Sequence, residues 1–216
     1  DLHSVTHLLH AVLKEVLGEH VKQAGSLVTS QRLRFDYTHF SPLVLREKNR
    51  IEERVNQKIR ENLKVSTNEL SIEKAIKDGA VALFGEKYGE NVRVVSMGDF
   101  SKELCGGTHT AATGNIGLFK IISEGGIASG VRRIEAVAGK SAYYSMQEEN
   151  KTLISIRSLL KVSPEEEINR LKKILEKSRE MEKEISRLKE KLISGKGSDS
   201  DHDVEKIGNI SLLVKQ

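Results

Sequence analysis

Glu103-Leu104-Cys105-Gly106-Gly107-Thr108-His109 is the stretch on which the fold of this chain turns. It holds the only cysteine of the 216 residues, four positions before a histidine. Near the other end of the chain His3-Ser4-Val5-Thr6-His7 repeats that spacing. On a helix, residues i and i+4 stand one turn apart on one face, so His3 and His7 present two imidazoles in one direction. Four nitrogen and sulfur donors from two separate segments suit tetrahedral Zn2+, whereas Mg2+ and Ca2+ require oxygen. The spacing therefore predicts a fold that carries residues 3–7 and 105–109 to the same point. His10 lies on the same helical stripe and is either a rival ligand or a supporting and packing residue. A second use of the stretch is a thiolate–imidazole pair, Cys105 with His109, performing acyl transfer. That use has no evident third group to orient the imidazole and leaves His3 and His7 idle.

Outward from this stretch the pattern is mixed. Val5, Leu8, Leu9, Val12, Val16 and Leu17 recur at helical spacing, predicting a helix over 2–17 that Gly18 stops. Leu27-Val28, a turn at Thr29-Ser30, and Arg32 to Tyr37 follow as strands; Leu33, Phe35 and Tyr37 share one face of the second. Ser41 before Pro42 predicts a helix start, with Val44, Ile51, Val55, Ile59 and Leu63 on its inner face. Ser71 caps a shorter helix ended by Gly79. Strands are expected at 92–95, 118–122 and 131–137, parted by turns at Gly106-Gly107, Gly125-Gly126 and Gly139. Residues 141–160 read as helix. Ser163-Pro164-Glu165-Glu166 then reads as a capping box opening another, whose Leu171, Ile174, Ser178, Met181, Ile185, Leu188 and Leu192 form a heptad seam. The short joint favours an antiparallel helical hairpin over an intermolecular zipper. Residues 194–206 read as a Gly/Ser/Asp linker. Residues 207–214 read as one strand lacking a partner, so the chain is expected to be an excised piece that ends inside a further domain.

Composition narrows the function classes. Lys and Arg total 35 against 31 Asp and Glu, a formal charge of +4 that permits a polyanionic partner without requiring one. Aromatics are 4% with no Trp, which argues against a base-stacking platform for single-stranded RNA. A single cysteine excludes a disulfide within the chain and suits a reducing compartment, so a cytoplasmic protein is expected. The longest apolar run, near Ala80 to Phe84, is too short to span a bilayer, and no membrane partner is expected.

Taken together in order, several segments carry a family likeness. These are His3 to His10, Gln23-Ala24-Gly25-Ser26-Leu27-Val28, Arg34-Phe35-Asp36, Ala82 to Tyr88, Met97-Gly98-Asp99-Phe100, Glu103 to His109, and Arg132-Arg133-Ile134-Glu135-Ala136. Over about residues 1–139 the chain resembles the editing domain of the bacterial alanyl-tRNA synthetases. The related threonyl-tRNA synthetase domain usually has proline before the second motif's histidine, where this chain has Thr108. The resemblance implies an α+β architecture: an editing domain with a zinc site at 1–140, followed by the helical hairpin at 141–193, the linker at 194–206 and the start of a C-terminal domain at 207–216.

The resemblance also implies an activity, hydrolysis of the ester of tRNA for alanine wrongly charged with serine or glycine. An alanine pocket cannot exclude glycine and rejects an added hydroxyl poorly, so a second, hydrolytic sieve is required. The family's zinc ligands fall on His3, His7, Cys105 and His109, and a glutamine implicated in editing falls on Gln23. Without the likeness Gln23 would read as an exposed polar residue near a turn. Arg32, Arg34, Arg132 and Arg133 are candidate phosphate contacts, or ordinary solvated charge. Zinc either activates water or positions substrate. Two other functions stay open: an acceptor-end binding module stapled by zinc, and a fragment that oligomerises through the hairpin or through the missing C-terminal domain.

Overall fold

The structure is a computed structural model and describes residues 2–82, 88–193, 204–207 and 210–213. The middle of the 82–88 motif, linker residues 194–203 and Val214 lie outside the described residues. The chain divides into two compact units, 1–150 and 151–216. Both are mixtures of helix and antiparallel sheet.

In the first unit, helix α1 (Leu2–Leu17) has the predicted bounds. Gly18, with φ +117°, ends it by donating its N–H to the Lys14 carbonyl at 2.9 Å. Strands β1 (Gln23–Val28) and β2 (Leu33–Thr38) form a hairpin. Helix α2 (Leu45–Arg60) follows, then β3 (Val65–Ser71), α3 (Ile72–Lys77), β4 (Asn91–Met97) and β5 (Ser101–Leu104). A 3-10 turn at Thr113–Ile116 leads to β6 (Phe119–Ala128) and β7 (Val131–Ala138). Helix α4 (Lys140–Leu160) begins at the next turn.

One sheet has the order β1-β2-β7-β6, and a second the order β3-β4-β5. Phe35 lies opposite Ile134 and Leu33 opposite Ala136, so these side chains share one face. That face buries Leu33, Phe35 and Tyr37, as their alternation requires, against Val5, Leu8, Leu9, Val12 and Leu13 of α1 and Ile51 and Val55 of α2. A smaller cluster of Ala75, Ala80, Val92, Val94 and Leu104 lies beneath α3. Helix α2 also covers the β6 edge with polar groups. Asn56 exchanges two hydrogen bonds with the backbone of Phe119, both 2.8 Å, and Glu52 accepts from the Ile121 N–H at 2.7 Å. These side chains substitute for the neighbouring strand that an edge lacks.

Several sequence expectations are corrected. Helix α2 starts at Leu45, not at Ser41-Pro42, because Glu47 reaches back to the Val44 N–H at 3.0 Å; Val44 is exposed instead of inward. Gly125 and Gly126 are not a turn. They pair with Arg133 and Arg132 inside β6, beside register shifts, and the reversal falls at Ser129-Gly130, where Gly130 has φ +70°. Glycine is compatible with such bulges as well as with turns. Strands β3 and β5 add to the strands expected from the sequence.

In the second unit, α5 (Glu167–Ile193) starts after the Ser163-Pro164 pair, because Glu165 takes φ +78°, which interrupts a helix there. The Ser163 N–H still donates to Glu166, at 3.2 Å, and Arg157 pairs with Glu167. The apolar seam side chains of α5, from Leu171 to Leu192, are exposed. Residues 207–214 are not one unpaired strand. Strands β8 (Val204–Ile207) and β9 (Ile210–Leu213) pair with each other, so residues 204–206 belong to a strand and not to the linker. Among the described residues no helix is long and apolar enough to cross a membrane.

Candidate metal centre

Helix α1 presents His3, His7 and His10 on one stripe, and the loop leaving β5 carries Cys105 and His109 past its first turns. One ligand atom from each of His3, His7, Cys105 and His109 lies within 4.8 Å of all the others. Cys105 Sγ is 3.4 Å from His3 Nε2 and 3.4 Å from His109 Nε2. Edges of a tetrahedron around zinc with ~2.0 to ~2.3 Å bonds are ~3.3 to ~3.8 Å. The structure thus brings together the four residues that spacing had singled out, across more than a hundred residues of chain. His10 is not among them.

Supporting contacts fix each donor. Ser4 Oγ accepts from the Thr110 N–H at 3.1 Å and lies 3.2 Å from His109 Nδ1, which leaves His109 Nε2 facing Cys105. The Gly107 N–H donates to Cys105 Sγ at 3.4 Å, and Arg93 donates to the Gly107 carbonyl. A Cβ on Gly107 would lie 1.8 Å from His3 Cε1, so only glycine lets the loop pass over the His3 ring.

Glu103 carries the most buried charge of the site. Its carboxylate accepts from the Nδ1 of His7 and, at 2.8 Å, from the Nδ1 of His10. Burial would raise its pKa, but the hydrogen bonds from His10 and His7 outweigh that and hold it at about 2. An ionised carboxylate only accepts, so both histidines carry a proton on Nδ1 and turn Nε2 away from Glu103. His7 Nε2 is buried and has no hydrogen-bond partner, which a metal ion among the four donors would satisfy. Burial likewise opposes ionisation of Cys105, yet hydrogen bonds from His109 and His3 and from the Gly107 N–H lower its pKa to about 3. For His7, burial disfavours charge, but Cys105 and Glu103 outweigh it and raise the pKa to about 9, so a cation entering the site would displace a second proton from Nε2. The charge a cation would meet here is negative, and the thiolate is already formed.

The remaining site candidates lie elsewhere. Gln23 opens β1, donates to Ser26 Oγ at 3.3 Å, and lines a cavity with His10, outside the four-donor cluster. The arginines face carboxylates. Arg133 holds Asp36 through two bonds of 2.7 and 2.8 Å, Arg34 lies 3.6 Å from Asp36, and Arg32 lies 3.8 Å from Glu135. Arg132, its neighbour along β7, points to the opposite face and pairs with Glu124 beside Tyr37. Arg132 and Arg133 are therefore not one patch. Glu103 has no local sequence signal for this role beyond its place two residues before Cys105.

Residues 92–135 match the family described as the threonyl and alanyl tRNA synthetase second additional domain. Over 212 residues, 98% of this chain, the sequence is 50% identical to an alanine–tRNA ligase of Halorhodospira halophila, of which it covers 25%. It is 55% identical over 213 residues to the alanine–tRNA ligase of Francisella tularensis subsp. novicida, covering 24% of that protein, and 50% identical over 213 residues to that of Shewanella loihica, again covering 24%. The chain thus spans about a quarter of the length of these relatives.

Proposed function

Because the chain is homologous to a quarter-length segment of alanine–tRNA ligases, we propose that it is their editing portion, a zinc-containing deacylase acting on mischarged tRNA for alanine. The observation that carries this reading is the convergence of His3, His7, Cys105 and His109 on one point. Three nitrogens and a thiolate fit zinc, and the unpaired His7 Nε2 fits a ligand held in its tautomer by Glu103. Zinc bound there would supply a fixed positive charge that fastens α1 to the 105–109 loop and attracts the electron-rich end of the ester. With four protein donors the site is closed, which favours positioning over water activation.

The reaction adds water to the ester carbonyl carbon, breaks the bond to the terminal ribose oxygen, and returns a proton to that oxygen. Gln23 carries both an amide donor and a carbonyl acceptor, suited to orienting the aminoacyl group or the water. Residues 1–140 form the editing domain, 141–193 a helical hairpin arm, 194–203 a linker, and 204–216 the start of the C-terminal domain of a cytoplasmic enzyme. The exposed seam of α5 is left available for self-association or for the rest of the synthetase. Arg32, Arg34 and Arg133 are the arginines available for phosphates, at the expense of their carboxylate pairs.

The test is hydrolysis of seryl-, glycyl- and alanyl-tRNA for alanine by the whole chain, with zinc content measured alongside. The seryl ester should be cleaved well above its buffer rate, and Cys105→Ala should lose at least ~100-fold with helix content unchanged. Buffer-rate hydrolysis by the zinc-loaded chain would leave only a binding module.

A further inference from the structure

The arginines of β2 and β7 are engaged with carboxylates, so a polyanion must compete for them. Helix α2 carries arginines that are not. Its buried face is Ile51, Val55 and Ile59, and the opposite face, stepping by four and three, is Arg46, Arg50, Glu53, Gln57 and Arg60. Among the described residues neither Arg46 nor Arg60 has an ion-pair partner. The positions one turn from Arg46 hold Pro42, Leu43, Asn49 and Arg50, and Asn56 and Gln57 stand one turn before Arg60, so no carboxylate is at hand for either. Arg50 meets Glu53 at 3.3 Å, but both side chains are more than half exposed, and such a pair yields readily to a multivalent anion.

The start of the same helix is apolar and uncovered. Phe40, Val44 and Leu45 are 86%, 59% and 73% exposed. Large apolar side chains open together within six residues are the mark of a contact surface. The segment is held in place: the His39 N–H donates to the Gly130 carbonyl at 3.0 Å, and the Phe40 ring lies 3.4 Å from where a Cβ on Gly130 would be. Leu45 and Arg46 share a groove of about 850 Å³ with Asn49, Arg50 and Glu53, which joins the apolar end to the cationic stripe.

We propose that the outward face of α2, from Phe40 to Arg60, is a nucleic-acid interface for the ribose–phosphate backbone of tRNA. Arg46, Arg50 and Arg60 hold phosphates, and Phe40 offers its face to an unpaired base. The proposal rests on the reading that the chain acts on tRNA, and it moves the principal phosphate contacts from the sheet to the helix. Charge complementarity selects the occupant. Three arginines against one glutamate suit a polyanion, and the planar guanidinium fork suits phosphate oxygens. An open aromatic ring suits any base, because every base has a π-face. The far end of α2 is tied to the chain just past His109: Thr113 Oγ1 donates to the Lys58 carbonyl at 2.8 Å, and the Gly114 N–H donates to Asn62 Oδ1 at 3.1 Å. A backbone lying along the stripe therefore leads toward the loop that carries Cys105 and His109.

The experiment is binding of the whole chain to an uncharged transcript of tRNA for alanine, followed by fluorescence anisotropy from ~50 to ~200 mM salt, with circular dichroism on each variant. Arg46→Gln and Arg60→Gln should each weaken binding ~6-fold at ~100 mM salt and flatten the slope of log affinity against log salt by ~0.7 to ~0.9, the loss of one phosphate contact. Phe40→Ala should weaken binding ~5- to ~100-fold and leave the slope as it is, which separates stacking from charge. Replacing Lys74 and Lys77 of α3 together by Gln removes as much charge as the two arginine variants combined, and should cost less than ~2-fold. The interface is overturned if the arginine variants keep the parent's affinity and slope, if Phe40→Ala binds as the parent does, or if the α3 lysines matter as much. Self-association in light scattering that Phe40→Ala abolishes would give this face to a second copy of the chain and overturn it too. Salt-dependent binding through α2 with no hydrolysis of any ester would sink the deacylase reading and leave the interface standing. Ester hydrolysis with the parent's slope in every variant would do the reverse.

Discussion

Gly107→Ala should weaken metal binding about 100-fold without unfolding the chain. Gly107 does not have positive φ, so alanine meets no backbone strain there. The new Cβ would instead sit 1.8 Å from His3 Cε1 and 2.2 Å from His3 Nδ1. Those atoms belong to the far end of a side chain near the start of a helix, so the ring gives way and the backbone stays. Ordinary contact needs about 3.4 Å, and the ring must retreat by about 1.6 Å, several times the ~0.2 Å that metal–ligand bonds tolerate. His3 is then lost as a donor. Structural zinc sites are worth roughly 10 to 16 kcal/mol in total, so one ligand of four is worth about 3 kcal/mol, or ~10²-fold in affinity. The assay is competition against a chromogenic chelator with zinc, supported by the cobalt–thiolate absorption band, and circular dichroism reports the fold. Wild-type affinity in Gly107→Ala would refute His3 as a ligand. Collapse of the helix signal would refute the claim that the collision is confined to the site.

Other consequences are as direct. Glu103→Gln replaces an acceptor by an amide that must turn its NH2 toward one histidine, freeing that ring to adopt the other tautomer; zinc affinity should fall ~10- to ~100-fold, and unchanged affinity would remove Glu103 from the site. Asn56→Ala leaves the Phe119 N–H and C=O without their α2 partners and should cost ~1 to ~3 kcal/mol in denaturant unfolding, against near neutrality if the β6 edge is supported otherwise. His39 is held below its ordinary pKa by burial and by His20, whose Nε2 lies 2.9 Å from its Nδ1. A depressed histidine pKa means that the unfolded chain takes up the proton first. Stability should therefore fall as pH drops through about 6.5 and level off below the His39 midpoint. NMR titration should place that midpoint below about 6.5, with His20→Gln raising it, and a midpoint at or above 6.5 would contradict the geometry.

The elements legible in the sequence are those whose side chains sort by local period. Helix α1 could be bounded because its apolar residues recur at three and four and glycine follows at 18. Strand β2 could be oriented because Leu33, Phe35 and Tyr37 alternate with charged residues. Ser71 could be read as a cap, and its Oγ accepts from the Lys74 N–H at 3.4 Å. Strand β3 was not legible because Val65 to Ser71 has no apolar alternation; it is a polar edge strand that exists through pairing with β4. Gly125-Gly126 misled because glycine permits both a turn and a bulge, and only the register with β7 distinguishes them.

The same division runs through the site. Residue type and spacing alone singled out the four residues that converge, because histidine and thiolate four residues apart express a chemical preference for one kind of metal. What the chain order could not reveal is who stands behind those donors. Glu103 reaches His7 across 96 positions and His10 across 93, and the clearance at Gly107 depends on His3, more than a hundred residues away. Tautomers, buried charge and the unpaired Nε2 of His10 are set by neighbours that folding assembles. Donor identity is a property of the side chain. Its protonation, orientation and partner are properties of the place it is put, and here that place is decided by the docking of α1 against the loop that follows β5.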